Sequence, residues 1–134
     1  MTVEINNRTR SRIDEKFITR VAEKFFSRYK INKDLSIAFV GDQAMRRLNR
    51  GYRGQDKVTD ILSFESAEKS ELGEIVIDYM QIKRQSKKYS KSVKEELVFI
   101  LVHGLLHLAG YDDDTEKKRS EMIKLGERFI KNYI

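Results

Sequence analysis

Phe17, Val21, Phe25 and Tyr29 recur at every fourth position, with Ile18, Ala22 and Phe26 beside them. This spacing predicts an amphipathic helix from about Asp14 to Tyr29. Ahead of it, Val3 and Ile5 suggest a short first strand, and LSIAFVG, 35–41, has the apolar and β-branched content of a second. Asp42 is placed to cap a short helix through Met45 and Leu48. The stretch NRGYRGQDK, 49–57, carries two glycines and reads as a loop. TDILSFE and GEIVIDY read as two more strands, and the polar SAEKSEL between them suits a connection between antiparallel neighbours.

A helix is expected from Gln81 to about Tyr89. Ser92-Val93-Lys94-Glu95 then has the capping-box form, Ser at the cap and Glu three residues on. It opens a helix that is apolar on every side, from Leu97 to Leu108, and a helix without a polar face is a buried one. Gly110 stands where a left-handed terminating residue is wanted. From about Thr115, Met122, Leu125, Phe129 and Ile130 fall at helical spacing, with Asp114 as the cap. The sum is an α+β fold: a single domain over residues 1–134, with a mixed sheet of about four strands packed against helices and the apolar helix at its centre.

Composition narrows the partners. Lys and Arg number 27 against 21 acidic residues, a net charge of +6. That excess favours a polyanion such as nucleic acid, although lysines also simply solvate a small protein. The charges cluster at Arg8, Arg10 and Arg12, at Arg46, Arg47, Arg50, Arg53 and Lys57, and from Lys83 to Lys91. With no cysteine, disulfides and thiolate metal sites are excluded, and any metal must use His, carboxylate or water. The longest apolar run, Leu97 to Ala109, is broken by His103, Gly104 and His107 and is too short to span a bilayer. The N-terminal MTVEINNRTRSR has no apolar segment of the signal-peptide kind. A cytoplasmic location without a membrane partner is the expectation.

His103 and His107 are the only histidines in the chain. Residues four apart share a helix face, with Cβ atoms about 5–6 Å apart, so both imidazoles can reach one cation. Gly110 stops the helix and turns the chain back toward them, and Asp113 follows at the spacing of the third ligand in a metzincin-like metal site. Asp112 and Asp114 compete for that place, Asp114 less so because it also suits the cap of the last helix. Three protein ligands and an open position describe a catalytic metal rather than a structural one. The competing reading is a pair of polar residues hydrogen-bonded within a core helix, but two buried imidazoles cost about 1–3 kcal/mol each unless satisfied, and a shared cation satisfies both. Gly104 decides the reaction class. Metalloproteases of this spacing place their general base, a Glu, directly after the first His, and glycine cannot accept a proton. Metal-assisted attack on a phosphodiester, by water or by a ribose 2′-hydroxyl, remains open.

The stretch His103-Gly104-Leu105-Leu106-His107-Leu108-Ala109-Gly110-Tyr111-Asp112 resembles the signature of the YbeY family of endoribonucleases. So do Leu48-Asn49, Tyr52-Arg53-Gly54, Asp56-Lys57, Thr59-Asp60-Ile61-Leu62-Ser63-Phe64 and Leu72-Gly73-Glu74-Ile75-Val76-Ile77, in the same order and spacing. The resemblance implies a single-strand-specific endoribonuclease that acts on ribosomal RNA at the small subunit, matures the 3′ end of its RNA and serves ribosome quality control. It implies zinc held by His103, His107 and the residue at Asp113, where the family has a third histidine, and a catalytic arginine at Arg53. The aspartate is a harder donor and adds charge, which opens the identity of the divalent metal. Arg46, Arg47, Arg50 and Lys57 are read as RNA-binding through phosphate attraction. Ribosomal proteins are further candidate partners, and DNA is not expected. Ser63 is a candidate to line a cleft, and Phe64 reads first as core. Competing functions are a ribosome-assembly factor with a structural metal, a hydrolase of another substrate, and a metal-free RNA-binding module.

Overall fold

A computed structural model of the chain describes residues 2–134, which form four strands and five helices. They are β1 (Val3–Asn7), α1 (Glu15–Tyr29), β2 (Asp34–Val40), α2 (Asp42–Arg53), β3 (Ile61–Glu65), β4 (Glu71–Asp78), α3 (Tyr79–Lys88), α4 (Val93–Leu108) and α5 (Glu116–Tyr133). The sheet order is β1-β2-β4-β3. β1 and β4 run parallel to β2, and β3 pairs antiparallel with β4 through Ile61↔Ile77 to Glu65↔Gly73. The sheet is therefore mixed and four-stranded, as expected, with β3 joined to β4 through the polar SAEKSEL segment.

Both faces of the sheet are covered, which explains why the central strands read as apolar runs rather than as alternations. Leu35, Ile37 and Phe39 of β2 and Ile75 and Ile77 of β4 point to the α1, α4 and α5 side, where they meet Phe25, Phe26, Leu101, Val102 and Leu105. Ala38, Val40, Leu62 and Val76 point the other way and are covered by Met45 of α2. α4 lies in the middle of the larger core and packs against α5, α3, α1, β3 and β4. Leu101, Leu105 and Leu106 are all but fully buried, and truncating any of them to alanine costs about 2–5 kcal/mol.

The caps explain where elements begin. The Ser92 hydroxyl accepts from the Glu95 N–H at 3.0 Å while the Glu95 carboxylate accepts from the Ser92 N–H at 3.0 Å, so the capping box forms. Asp78 caps α3 by accepting from the Met80 and Gln81 N–H groups, and this starts the helix at Tyr79, two residues before the position suggested by the apolar pattern. At α5 the cap is Thr115, whose hydroxyl accepts from the Lys118 N–H at 3.1 Å. Asp114 is not the cap: its carboxylate pairs with the Lys118 ammonium at 3.3 Å. Asp42 is likewise not a cap. α2 starts after Gly41, and Asp42 in its first turn pairs with Arg84 at 2.6 Å.

The larger departure from expectation is the length of α2. The helix runs through Gly51 and ends at Arg53, so half of the predicted 49–57 loop is helical. Gly54 terminates it at φ +70, a left-handed conformation that glycine adopts without a Cβ penalty. The loop is anchored from below by the fully buried Asn49, whose Nδ2 donates to the Lys57 carbonyl at 2.9 Å. Tyr52 sets its ring edge-on to Phe64 at 4.4 Å, which leaves Phe64 half-buried beside α2. Among the described residues no helix is long and apolar enough to cross a membrane.

Candidate metal centre

The last two turns of α4 carry both histidines, and the end of that helix is held in one geometry. The Gly110 N–H donates to the His107 carbonyl and the Tyr111 N–H to the Leu106 carbonyl, both at 3.0 Å, which is the paired pattern of a Schellman turn. Gly110 has φ +104, and nothing lies within 4 Å of where its Cβ would be. Glycine is therefore needed here for its backbone conformation and not for close packing. The turn swings Asp113 back over the helix face.

Asp113 Oδ2 then lies 3.3 Å from His103 Nε2 and 3.2 Å from His107 Nε2. The two rings stand 4.9 Å apart at 81° to one another, so their edges converge without stacking. All three donor atoms fall within 4.8 Å of one another, and each residue is half-buried. Two ligands about 2.0–2.1 Å from a tetrahedral cation are separated by about 3.3 Å, so the observed spacings fit one small ion. Burial first, and then the neighbouring His107, depress the basicity of His103. Burial works against the charge on Asp113, but His107 and His103 outweigh it and hold the carboxyl below the usual range. The result at neutral pH is a neutral His103 imidazole beside an ionised carboxylate, and deprotonated donors are what a metal site needs.

This set opens into a cleft of about 470 Å³. Its floor is α4, one wall is formed by the end of α2 with β3, and the other by the α4–α5 turn with α5. Arg53 reaches the cleft from the last residue of α2, and Ser63 from β3. Gly104 faces β3: a Cβ there would sit 2.6 Å from Ile61 Cδ1 and 3.3 Å from Ser63 Oγ. The position where a metalloprotease keeps its base is thus used for close packing of helix on strand.

The other predicted residues lie elsewhere. Arg46 and Arg50 both pair with Asp56, at 2.8 and 3.7 Å, and neither lines the cleft. Arg47 and Lys57 are exposed residues outside it. Asp112 lines the cleft without joining the donor set, and Asp114 is turned to Lys118. The cleft residues that escaped sequence reasoning include Arg119 and Asp60. Arg119, on the first turn of α5, is the second guanidinium in the cleft, and its only sequence signal is a position six residues past Asp113. Asp60 lines the β3 wall, where Gln85 Nε2 donates to its carboxylate at 3.3 Å. The same Gln85 amide donates at 2.8 Å to Glu96, a carboxylate buried to 1% exposure on α4, so α3 ties the cleft wall to the central helix.

Fold and donor set together define an α+β protein whose central helix and following turn present three metal donors to an open cleft. The sequence matches the Endoribonuclease YbeY family over residues 3–134, and the chain belongs to that family. Relatives named Endoribonuclease YbeY include one from Thermodesulfovibrio yellowstonii, 43% identical over 73% of this chain and 65% of its own length. One from Persephonella marina is 35% identical over 90% of this chain and 84% of its own length, and one from Phytoplasma mali is 32% identical over 98% and 88%. A solution structure of a Thermotoga maritima protein superposes with a TM-score of 0.68 at 26% identity, covering 96% of this chain and 86% of that one.

Proposed function

We propose that the chain, as one catalytic domain over residues 1–134, is a metal-dependent endoribonuclease that cuts single-stranded ribosomal RNA. The observation that carries the reading is the convergence of two imidazoles and one carboxylate on a single point at the base of a cleft that also holds arginine. His103 Nε2, His107 Nε2 and Asp113 Oδ2 would hold one divalent cation. When bound, it would supply Lewis acidity, making water or a ribose hydroxyl a better nucleophile and polarising a phosphoryl oxygen. Two nitrogen donors favour a zinc-type ion over magnesium or calcium, while the carboxylate moves the site toward harder metals.

The chain's own groups do the rest. The Arg53 guanidinium, which reaches the cleft from the end of α2, would bind the phosphoryl oxygens and offset charge that builds on them during cleavage. Asp113 orients on both histidines, so the three side chains enter the reaction in one arrangement. Arg46, Arg47, Arg50 and Lys57 supply a positive field around α2 that attracts RNA. Because Arg46 and Arg50 are partly neutralised by Asp56, each contributes less than Arg53. Peptide hydrolysis is disfavoured by Gly104, which leaves no carboxylate on α4 at the base position.

The family resemblance supports ribosomal RNA as substrate, with the 3′ end of the small-subunit RNA as the site of action and ribosome quality control as the setting. The partners would be the small ribosomal subunit and its proteins, in the cytoplasm, with neither DNA nor membrane. The test is cleavage of single-stranded and duplex RNA by protein loaded in turn with zinc, manganese and magnesium. Cutting of the single strand, abolished by chelator and by His103→Ala and reduced by Arg53→Ala far more than by Arg46→Ala, is expected. Intact RNA under every metal refutes the proposal.

A further inference from the structure

The turn that carries Asp113 has a second side. Gly110, Tyr111 and Asp112 line the cleft and also the rim of a separate groove of about 510 Å³, whose opposite wall is α5. On that wall Lys118, Met122, Leu125 and Arg128 recur three or four residues apart and share one helix face, with Lys124 at its edge. Met122 is buried and gives the groove an apolar floor. Lys118, Lys124 and Arg128 outnumber the acidic Asp112 and Glu121 along it. Lys118 pairs with Asp114, but Lys124 and Arg128 have no carboxylate within ion-pair distance among the described residues.

Tyr111 stands at the junction of cleft and groove. It is 41% exposed, and Tyr29 supports it edge-on with centroids 6.3 Å apart. An exposed ring flanked by unpaired cations, on a groove that shares the Gly110–Asp112 turn with the metal cleft, is the composition that binds single-stranded nucleic acid. Any base offers a π-face to the ring, and cations follow the backbone.

We propose that this groove is a subsite for the stretch of single-stranded RNA that flanks the bond held in the cleft. Tyr111 stacks one unpaired base as the strand crosses the Gly110–Asp112 turn, and Arg128, Lys124 and Lys118 bind the phosphates that follow. A duplex keeps its bases stacked on each other and cannot present one to Tyr111, so the groove selects for unpaired RNA. The identity of the occupant rests on the endoribonuclease reading; the groove's affinity is measurable without catalysis.

The experiment is fluorescence anisotropy with a labelled single-stranded RNA decamer in chelator, on the whole chain, across a range of salt. Tyr111→Leu is expected to weaken binding about tenfold, and Tyr111→Trp to restore it, with thermal melts confirming that each variant is folded. The pair Lys124→Gln/Arg128→Gln is expected to lower the slope of log affinity against log salt by about 1.4, roughly 0.7 per lost phosphate contact. A charge-matched control on the exposed face of α1, Lys16→Gln/Arg20→Gln, is expected to keep the parent's slope. Unchanged binding by Tyr111→Leu, an equal loss in the control pair, or no binding by the parent overturns the subsite. If the parent cleaves RNA while the groove variants bind normally, only the subsite falls. If the parent binds through the groove yet cleaves nothing under any metal, the enzymatic reading falls and the subsite stands.

Discussion

Gly104→Glu would restore the residue that a metalloprotease carries between its metal histidines, and the structure argues that it breaks the helix packing before it can do chemistry. The Cβ alone would lie 2.6 Å from Ile61 Cδ1, with Ser63 Oγ at 3.3 Å and Ile75 Cδ1 at 3.4 Å closing the other directions. Carbon atoms rest about 3.5–4.0 Å apart, so the first contact is short by about 1 Å. Ile61 and Ile75 are core residues of β3 and β4; the Ile61 side-chain tip would have to shift toward the cleft it lines, while Ile75 is fully buried. Overpacking of this kind costs about 1–3 kcal/mol. A carboxyl drawn into the α4–β3 contact without a donor adds about 1–3 kcal/mol. Removing a mid-helix glycine returns about 0.5–1 kcal/mol. The net expectation is a loss of about 3 kcal/mol, a large fraction of the roughly 5–15 kcal/mol that holds a domain folded. Urea unfolding of the chelator-treated protein reads it as a midpoint lower by about 1.5 M, taking a slope near 2 kcal/mol/M. No peptidase activity is expected from the fraction that folds. A variant with the parent's midpoint would refute the account of Gly104 as a packing residue, and a gain of peptidase activity would refute the account of the reaction class.

Three further outcomes follow from the same geometry. Asp113→Ala is expected to weaken zinc binding, measured by competition with a chromophoric chelator, by more than the roughly 10–100-fold typical of losing a supporting group, while Asp114→Ala leaves it unchanged because that side chain faces Lys118; equal affinities in the two variants would remove Asp113 from the site. Gly110→Ala is expected to cost about 1–2 kcal/mol from backbone strain alone, and a thermal melt matching the parent's would contradict the φ of +104. Asp78 gives the pH dependence. It has no solvent exposure, and its Oδ2 has no donor; burial first, and then the adjacent Asp42, push its pKa up to about 7. The folded state therefore keeps a proton that an unfolded aspartate releases near 3.8, so stability falls as pH rises between those values, by about 1.4 kcal/mol per unit and at most about 4 kcal/mol in all, and is flat above them. Asp78→Asn keeps the cap acceptor and is expected to flatten this fall, so that the variant gains on the parent as pH rises; parallel profiles from about pH 4 to 8 would refute it.

Periodicity and local chemistry sufficed for much of this structure, because the signals involved are local. The four-residue spacing of α1, the Ser92–Glu95 box and the Gly110 stop are each set by contacts within a few residues. The histidine pair was legible for the same reason: helix geometry alone puts His103 and His107 together. Asp113 was reachable because only a short turn separates it from them. Most of the failures are non-local. Gly51 looked like a helix breaker, but its penalty of about 1 kcal/mol is small beside the anchoring of Asn49 to Lys57 and Tyr52 to Phe64. Asp42 and Asp114 looked like caps because their best partners, Arg84 and Lys118, cannot be weighed against a cap from sequence. Glu96 lies within a run of helix formers, and nothing there reveals that Gln85 of another helix makes its burial tolerable. Arg119 enters the cleft through the docking of α5 on α4, which no spacing rule records.

The central helix is capped in a fixed register by Ser92, fills the core with its middle, and aims its last two turns at the cleft. Each residue of an α-helix advances about 100° around the axis. One residue inserted or deleted between Ser92 and His103 would therefore carry both imidazoles about a quarter turn off the cleft while driving leucines out toward it. Substitutions can accumulate along this segment, but a change in its length cannot be absorbed. The helix acts as a phase-locked shaft, and the spacing from cap to first histidine should be as invariant among functional relatives as the histidines themselves.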